Sequence, residues 1–434
     1  MNGQSEYLVH VSKSEQDLSF RPNKRFGGVS CRITTESAMN SLIGTSPSVL
    51  GQITSLSLSG IGQDRITSWL SQQFNGLCEL SVTGAGLSAR GSAWSHGCNV
   101  IQMSMDHSDE FFSHIRSYPS LRVLRLANNR LSNRGLSYLH EFDRLEGLDL
   151  SGNEISSLAC LSGLSSLKRL NLSNNKLSSS GIGSLKSFGG LETLNLSGNP
   201  LSKNLGSVDG VNIDVLLPRL LNLSVANCGL ETVGFLASHP TLEKLVVSRN
   251  PKLLGLGQVV MGLNKLTSLE AVGLNLSKES AEQISTQNAL FKLDLRRTAG
   301  ALSVVESIEN LSRLDTLRVD GVGTLGVSKI GRLEHLQRLT LNNGGMGNDG
   351  VSELSHLKEL THLSLANQQL DDGVISHFRG LERLRSLTLS HNALVGSGIG
   401  ELGRLNALTK LSLISNPLEI RSWKSLPGRI RVLV

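Results

Sequence analysis

Aliphatic residues recur at a fixed spacing through most of the chain, and polar residues alternate with them over short stretches. The pattern L-x-x-L-x-L-x-x-N begins at Leu384 and begins again one period later at Leu408. A fixed period of roughly 24 residues is the signature of a repeat architecture, because each unit is too small to bury its apolar side alone. The pattern therefore predicts an array of stacked repeats and not a domain with one central core.

The repeats cover most of the chain. Most steps between the first leucines have this same length, and several are slightly shorter. Clear repeats begin at Leu121, Leu145, Leu167, Leu191, Leu220, Leu242, Leu266, Leu290, Leu314, Leu336, Leu360, Leu384 and Leu408. Weaker repeats begin at Ile53, Leu77 and Val100, and residues 430–434 resemble a truncated one. We predict about 16 repeats within residues 51–434, with the last turn acting as a C-terminal cap.

Each repeat combines two hydrophobic periods. Counted from the first Leu, the apolar residues at positions 4 and 6 alternate with polar ones, as in a strand with one buried side. Later in the repeat the apolar residues step by three, as at Ile399, Leu402 and Leu405, which suits a short helix or 3₁₀ turn. A glycine before this series, such as Gly398, permits the turn. The predicted fold class is α/β.

This repeated motif resembles that of the leucine-rich-repeat superfamily, and the resemblance covers about 380 of the 434 residues. It implies a solenoid (a horseshoe) with a parallel concave β-sheet and short helices or 3₁₀ turns on the convex side. In this family the Asn at position 9 hydrogen-bonds to the backbone of neighbouring turns. Here that residue is Asn129, Asn153, Asn175, Asn199, Asn250, Asn392 or Asn416, with Cys228 as a substitute.

Five consecutive repeats depart from the family pattern because they lack the Asn at position 9. The residues in its place are Leu274, Thr298, Val322, Gly344 and Gln368. We therefore expect an irregular ladder over this span, with a change in curvature or in local mobility.

Two other stretches interrupt the array. Residues 1–50 show no repeat and mix basic residues with Gly and Ser. A cap over the first repeat and a partly disordered secretion leader both fit this composition. The step from Leu191 to Leu220 is longer than the usual period, and its extra residues predict a loop. Insertions in solenoids often form loops on the binding side.

Composition narrows the class of partner and the compartment. A net charge of +6 and a pI near 9.1 are mild for this length and do not indicate a nucleic-acid binder. No apolar stretch is long enough for a signal peptide or a membrane span. The five cysteines are scattered, which favours a reducing compartment. We expect a cytoplasmic protein, or one delivered into a host cell without a cleavable signal peptide.

One part of the predicted concave surface is rich in charge, whereas most other repeats present Ser, Thr, Asn and Gly there. The candidate partner-binding residues are Phe291, Lys292, Asp294, Arg296, Arg297, Arg318, Asp320 and Arg338. Arginines and aromatic residues are enriched in the energetic centres of protein interfaces. Pairing of these charges across adjacent strands explains the same residues without a partner. The sequence leaves both interpretations open.

The candidate motifs for metal or cofactor binding lack the spacing or the structural context that such sites require. Possible metal ligands crowd between His96 and His114, but no pair has the spacing of a zinc site. Gly398, Gly400 and Gly403 spell G-x-G-x-x-G, yet they lie in the turn of one repeat and not in a βαβ unit. We expect no cofactor, no bound metal and no enzymatic activity.

The function predicted from these features is protein binding. The chain is expected to be a monomeric scaffold that holds a partner protein on its concave face. It resembles bacterial leucine-rich-repeat effectors, which act on host proteins, and intracellular regulatory subunits of phosphatases or small GTPases. We favour the effector on its leader-like N-terminus and cysteine pattern. The alternatives from another class are a ubiquitination factor and a GTPase-activating protein that uses a concave Arg.

Overall fold

A computed structural model describes residues 18–22, 29–33, 53–59, 79–83, 100–104, 121–140, 142–201, 216–419 and 422–434. The chain divides into two compact units. Unit 1 comprises residues 1–201 and 208–220, and unit 2 comprises residues 202–207 and 221–434. The site predicted from the sequence lies in unit 2.

The described strands of unit 1 are β1 Leu18–Pro22, β2 Val29–Ile33, β3 Ile53–Ser59, β4 Glu79–Thr83, β5 Val100–Ser104, β6 Val123–Arg125, β7 Gly147–Asp149, β8 Arg169–Asn171 and β9 Thr193–Asn195. From β3 onward the strands follow the predicted period, including the weaker repeats, whereas β1 and β2 lie within residues 1–50, where no repeat was predicted. β1 pairs antiparallel with β2, and each later strand pairs parallel with the one before it. The α-helix α1 spans Asn133–Leu136, and 3₁₀ helices span Ser137–Leu139, Ala159–Leu161 and Gly183–Phe188.

Unit 2 has the same organisation. Its strands are β10 Asn222–Ser224, β11 Lys244–Val246, β12 Ser268–Glu270, β13 Lys292–Leu295, β14 Thr316–Asp320, β15 Arg338–Asn342, β16 His362–Ser364, β17 Ser386–Thr388, β18 Lys410–Ser412 and β19 Arg431–Leu433. Each pairs parallel with the next. The helices are α2 Leu256–Gly262, α3 Lys278–Ser285, α4 Ala301–Val305, α5 Thr324–Ile330 and α6 Gly347–Ser352. The 3₁₀ helices are Gly234–Leu236, Ile308–Asn310, Asp372–Phe378, Ile399–Arg404 and Ser422–Ser425.

The core of unit 2 lies between the strands and the helices. Leucines at position 4 are aligned by the strand register, so that Leu245 pairs with Leu269 and Leu269 with Leu293. Each of these three is fully buried. The predicted class, a parallel sheet with short helices opposite, is confirmed. No described helix is long and apolar enough to cross a bilayer.

Position 8 of the repeats has a left-handed backbone that the hydrophobic pattern did not reveal. In unit 2 this position is a glycine in some repeats, at Gly273 (φ 68°) and Gly321 (φ 72°). In other repeats it is an arginine, at Arg249 (φ 60°) and Arg297 (φ 56°). Side chains with a Cβ adopt this conformation at a cost. The turn that ends each strand therefore imposes a backbone shape on whatever residue occupies position 8.

The three glycines of the G-x-G-x-x-G stretch have structural roles in the turn and the 3₁₀ helix Ile399–Arg404. Gly398 is left-handed (φ 80°) and precedes this helix. A Cβ at Gly400 would lie 2.9 Å from Ser425 Oγ, and one at Gly403 would lie 2.8 Å from Pro427 Cδ. These glycines permit a tight turn and close packing, as the repeat interpretation predicted.

Several sequence predictions fall largely outside the described residues. They concern the stretch from His96 to His114, the insertion after Leu191 and most of residues 1–50. Their interpretations as an incidental cluster, a loop, and a cap or leader stay predictions, as does the predicted domain boundary at residue 50.

Candidate functional site

The candidate surface is the strand face of unit 2, formed by the side chains at positions 3 and 5 of each repeat and by those that flank them. Where a repeat has Asn at position 9, the amide of this Asn holds the backbone of the strand face. The Oδ1 of Asn250 accepts from the backbone N–H of Cys228 (3.0 Å) and of Leu230 (3.1 Å). Its Nδ2 donates to the carbonyls of Val225 (2.9 Å) and Val247 (2.8 Å). One buried amide thus satisfies four backbone groups in two repeats.

The ladder continues at two of the five repeats that lack Asn. Thr298 Oγ1 donates to the carbonyl of Ala271 (2.6 Å) and accepts from the backbone N–H of Leu274 (3.4 Å). Gln368 is fully buried, and its Nε2 donates to the carbonyl of Leu341 (2.8 Å). The prediction of an irregular ladder was therefore wrong at these two positions, because a hydroxyl and a longer amide can make the same kinds of bond.

At the other three repeats the side chain cannot replace the amide. Leu274 and Val322 are buried apolar residues, each 1% exposed. A Cβ at Gly344 would lie 2.4 Å from the carbonyl oxygen of Val322. Here two repeats approach so closely that only glycine fits.

The centre of the candidate site is the Asp294 cluster, which consists of Asp294, Arg296 and Arg318. The carboxylate of Asp294 is 1% exposed. Arg296 binds it in a bidentate manner, with Nε 3.0 Å from Oδ1 and Nη2 2.8 Å from Oδ2. Arg318 Nη1, from the adjacent strand, lies 3.5 Å from Oδ2. The buried carboxylate therefore holds two half-exposed guanidinium groups on the strand face.

Two further acids accompany this cluster. Glu270 binds Lys292 (2.8 Å) and Lys244 (3.2 Å). Burial raises the pKa of Glu270, but the hydrogen bonds and charges of the two lysines outweigh burial and leave the pKa below its usual value.

The burial of the Asp320 carboxylate is compensated less fully by hydrogen bonds and nearby cations. Its Oδ2 accepts from the backbone N–H of Arg297 (3.2 Å), while its buried Oδ1 has no hydrogen-bond partner among the described residues. Burial is the main cause that raises the pKa of Asp320. The Arg297 N–H and the charges of Arg296 and Arg297 only partly oppose this rise, and the charge of Asp294 adds to it.

Two predicted residues lie outside these charge pairs. Phe291 immediately precedes β13 and is 53% exposed. Arg338, at the start of β15, is exposed, and no described acid forms an ion pair with it. Its neighbours in the strand register are Thr316 and His362.

The comparisons agree with this geometry. A family model described as leucine rich repeat matches residues 119–177 and 159–201, where Asn153, Asn175 and Asn199 form the same ladder as Asn250. Residues 119–201 therefore carry leucine-rich repeats. No curated protein sequence matches the chain.

Solved structures of two bacterial proteins share its fold. An internalin of Listeria monocytogenes is 22% identical, with a TM-score of 0.50, and the match covers 71% of this chain and 85% of that one. A leucine-rich-repeat protein of Leptospira interrogans is 19% identical, with a TM-score of 0.50, and the match covers 89% of this chain and 91% of that one. At these identities the likeness concerns the fold alone.

The structure brings most of the predicted site residues together. Lys292, Arg296 and Arg318 are bound by carboxylates, as the charge-pairing interpretation predicted. Glu270 and Lys244, which complete one of these pairs, were missed. They lie at positions 5 and 3 of earlier repeats, so a comparison of equivalent positions, instead of a contiguous stretch, would have found them.

We expect Asp294→Ala to lower the free energy of unfolding of the protein by about 2 kcal/mol, because charge-assisted hydrogen bonds are lost and a buried cavity is left. In a double-mutant cycle with Arg296→Ala, the coupling should be about 1 kcal/mol, since the guanidinium is partly exposed and solvent screens it. Urea unfolding measures both values. Additive effects of the two substitutions would show that the ion pair is energetically silent.

Proposed function

We propose that this leucine-rich-repeat protein is a non-enzymatic, monomeric scaffold that holds a partner protein on the strand face of unit 2. The observation behind the proposal is the exposed Phe291 ring beside the Asp294 cluster. Aromatic and arginine side chains are enriched among the residues that dominate binding energy. Such a surface fits a partner that has an apolar pocket for the ring and hydrogen-bond acceptors near it for the guanidinium groups.

Rigidity supports this proposal. Arg296 and Arg318 are already oriented by Asp294, so a partner would lose less side-chain entropy when it binds them than when it orders free arginines. The same contacts favour binding over catalysis, because a guanidinium engaged by a carboxylate is a poor candidate for stabilising a transferred phosphoryl group. This argument favours a scaffold over the GTPase-activating alternative.

The test uses a partner captured with the full chain and then purified. We expect Phe291→Ala to weaken its binding about 10-fold or more, which corresponds to at least about 1.4 kcal/mol at an interface centre. Isothermal titration calorimetry provides the measurement. Leu325→Ala is the matched control, because Leu325 in α5 is 86% exposed outside the strand face. Loss of binding in Leu325→Ala but not in Phe291→Ala would move the interface to the helical side and refute the proposal.

A finer proposal concerns the compartment and the class of scaffold. We propose that the protein acts in a reducing cytoplasm, either as an effector inside a host cell or as an intracellular regulatory protein. Cys31 and Cys228 support this because both are buried thiols, and burial raises the pKa of Cys31 to about 12. Cys228 occupies a ladder position, so its thiol has a structural role that needs no oxidation. Cell fractionation with antibodies to the full chain distinguishes an effector, found in the cytoplasm of infected host cells, from a regulatory protein, found in the cytoplasm of the cells that produce it.

A further inference from the structure

Beyond β14, the strand face of unit 2 changes its electrostatic character. The strand register aligns the residues at position 3 of successive repeats. It pairs Arg338 with His362 and, two strands further, Lys410 with Arg431. Between them, position 3 is Ser386 on β17, and Arg385 lies one residue before it. We call Arg338, His362, Arg385, Lys410 and Arg431 the cationic row. The four basic members other than His362 are exposed.

No acid neutralises this row within the described part of unit 2. The strands β15 to β19 read RLTLN, HLS, SLT, KLS and RVL, without an Asp or Glu. Arg338, Arg385 and Lys410 form no ion pair with any described carboxylate. On β12 to β14, by contrast, Glu270 and Asp294 bind the nearby cations. Pairing therefore accounts for the charges of one half of the strand face and not for those of the other.

A row of hydroxyl groups lies beside the cationic row. Position 5 is Thr340, Ser364, Thr388 and Ser412 on β15 to β18, and the register aligns these four side chains. Hydroxyls can both donate and accept hydrogen bonds. Thr340, Ser364 and Thr388 are partly exposed, whereas Ser412 is buried and bonds to Ser390. The surface therefore offers positive charge along one line and three hydroxyl groups along the next.

The charges of three members of the cationic row reach His362. Burial is the main cause that lowers the pKa of His362, and the charges of Arg338, Arg385 and Lys410 lower it further. These residues come from β15, from the segment before β17 and from β18. The Nδ1 of His362 also lies 2.9 Å from Thr361 Oγ1. Three cations on neighbouring repeats thus contribute to the potential at His362.

We infer that the cationic row binds an acidic segment of the partner protein, laid across β15 to β19. This inference rests on the proposed protein-binding function and specifies the chemistry of the partner. Adjacent strands are ~4.8 Å apart, so four steps span about 19 Å, the length of roughly six extended residues. Carboxylates spaced along such a segment would each meet a cation, and its backbone would meet the hydroxyl row.

The alternative anionic occupant, a single-stranded nucleic acid, fits less well. Proteins that bind single strands combine a basic groove with aromatic side chains on which bases stack. The sequences of β15 to β19 contain no aromatic residue other than His362. The strand face here offers hydroxyl groups instead, which suit a peptide.

The experiment measures fluorescence anisotropy of a labelled peptide with about six consecutive glutamates, mixed with the full chain at low salt. We expect saturable binding that weakens about 10- to 30-fold in the variant Arg338→Gln, Arg385→Gln, Lys410→Gln. The matched control is Lys329→Gln, Arg379→Gln, Arg383→Gln, which removes the same charge outside the strand face. These three cations pair with Glu309, Glu401 and Glu359. The control should bind the peptide within about 3-fold of the unchanged chain.

Three results would overturn the inference: no binding to the unchanged chain, equal weakening in both triple variants, or tighter binding of a single-stranded DNA of the same length. A second readout is the NMR titration of His362. A carboxylate bound nearby raises the pKa of an imidazole, so the peptide should raise the pKa of His362. An unchanged pKa at saturation would contradict the inference.

Failure of this inference can be separated from failure of the proposed function. Phe291→Ala should bind the acidic peptide as the unchanged chain does, because Phe291 lies outside the cationic row. A partner that needs Phe291 but binds the triple variant normally would leave the protein-binding function intact and refute only the acidic segment.

Discussion

Replacing Asn250 with Ala is expected to lower the free energy of unfolding by about 3 kcal/mol. The Asn250 side chain is fully buried and satisfies two backbone N–H groups and two carbonyls. An orphaned buried backbone group costs on the order of 1–3 kcal/mol, and water that enters the space can recover part of this. Urea unfolding followed by circular dichroism measures the change.

Asn264→Ala is the matched control, since Asn264 is an exposed Asn in the same unit. Its effect should stay within about 0.5 kcal/mol. A comparably small effect of Asn250→Ala would mean that the ladder is not a source of stability, and that the leucines alone hold the repeats together.

The second large effect is expected for Phe378→Ala, which should lower the free energy of unfolding by about 4 kcal/mol. Phe378 ends the 3₁₀ helix Asp372–Phe378 and has no exposed surface. Its removal leaves a cavity that stacked neighbours cannot fill without moving the strands, because each repeat packs on both sides. Thermal or urea unfolding of the full chain gives the value.

Phe291→Ala provides the contrast. The Phe291 ring is 53% exposed, so its removal should change stability by less than about 1 kcal/mol while it weakens partner binding. If Phe291→Ala destabilised the protein as much as Phe378→Ala, Phe291 would be part of the fold and not a contact for a partner.

The predictability of the ladder differed from one position to the next. Asn250 was predicted because Asn at position 9 is part of the repeat motif. The roles of Thr298 and Gln368 were not, since the motif treats them as departures. Whether such a side chain reaches a neighbouring carbonyl depends on the separation of two backbones, and a single repeat does not contain that distance.

The candidate site shows the same division. The sequence identified Phe291, Asp294, Arg296 and Arg318 as unusual because they lie close together along the chain or in adjacent repeats. It did not indicate that Asp294 is buried beneath two arginines. The cationic row was missed for a related reason, since Arg338 and Lys410 lie three repeats apart in the sequence.

By itself, the sequence determined the repeat period, the strand and helix of each repeat, and the leucines that fill the core. These depend on hydrophobic spacing within one period, which any single repeat displays. Only the tertiary structure decided which charges neutralise one another and which remain free. That distinction depends on contacts between repeats, because parallel pairing places residues about one period apart within hydrogen-bonding distance. The paired charges orient the Asp294 cluster, whereas Arg338, Arg385 and Lys410 of the cationic row form no ion pair with a described carboxylate.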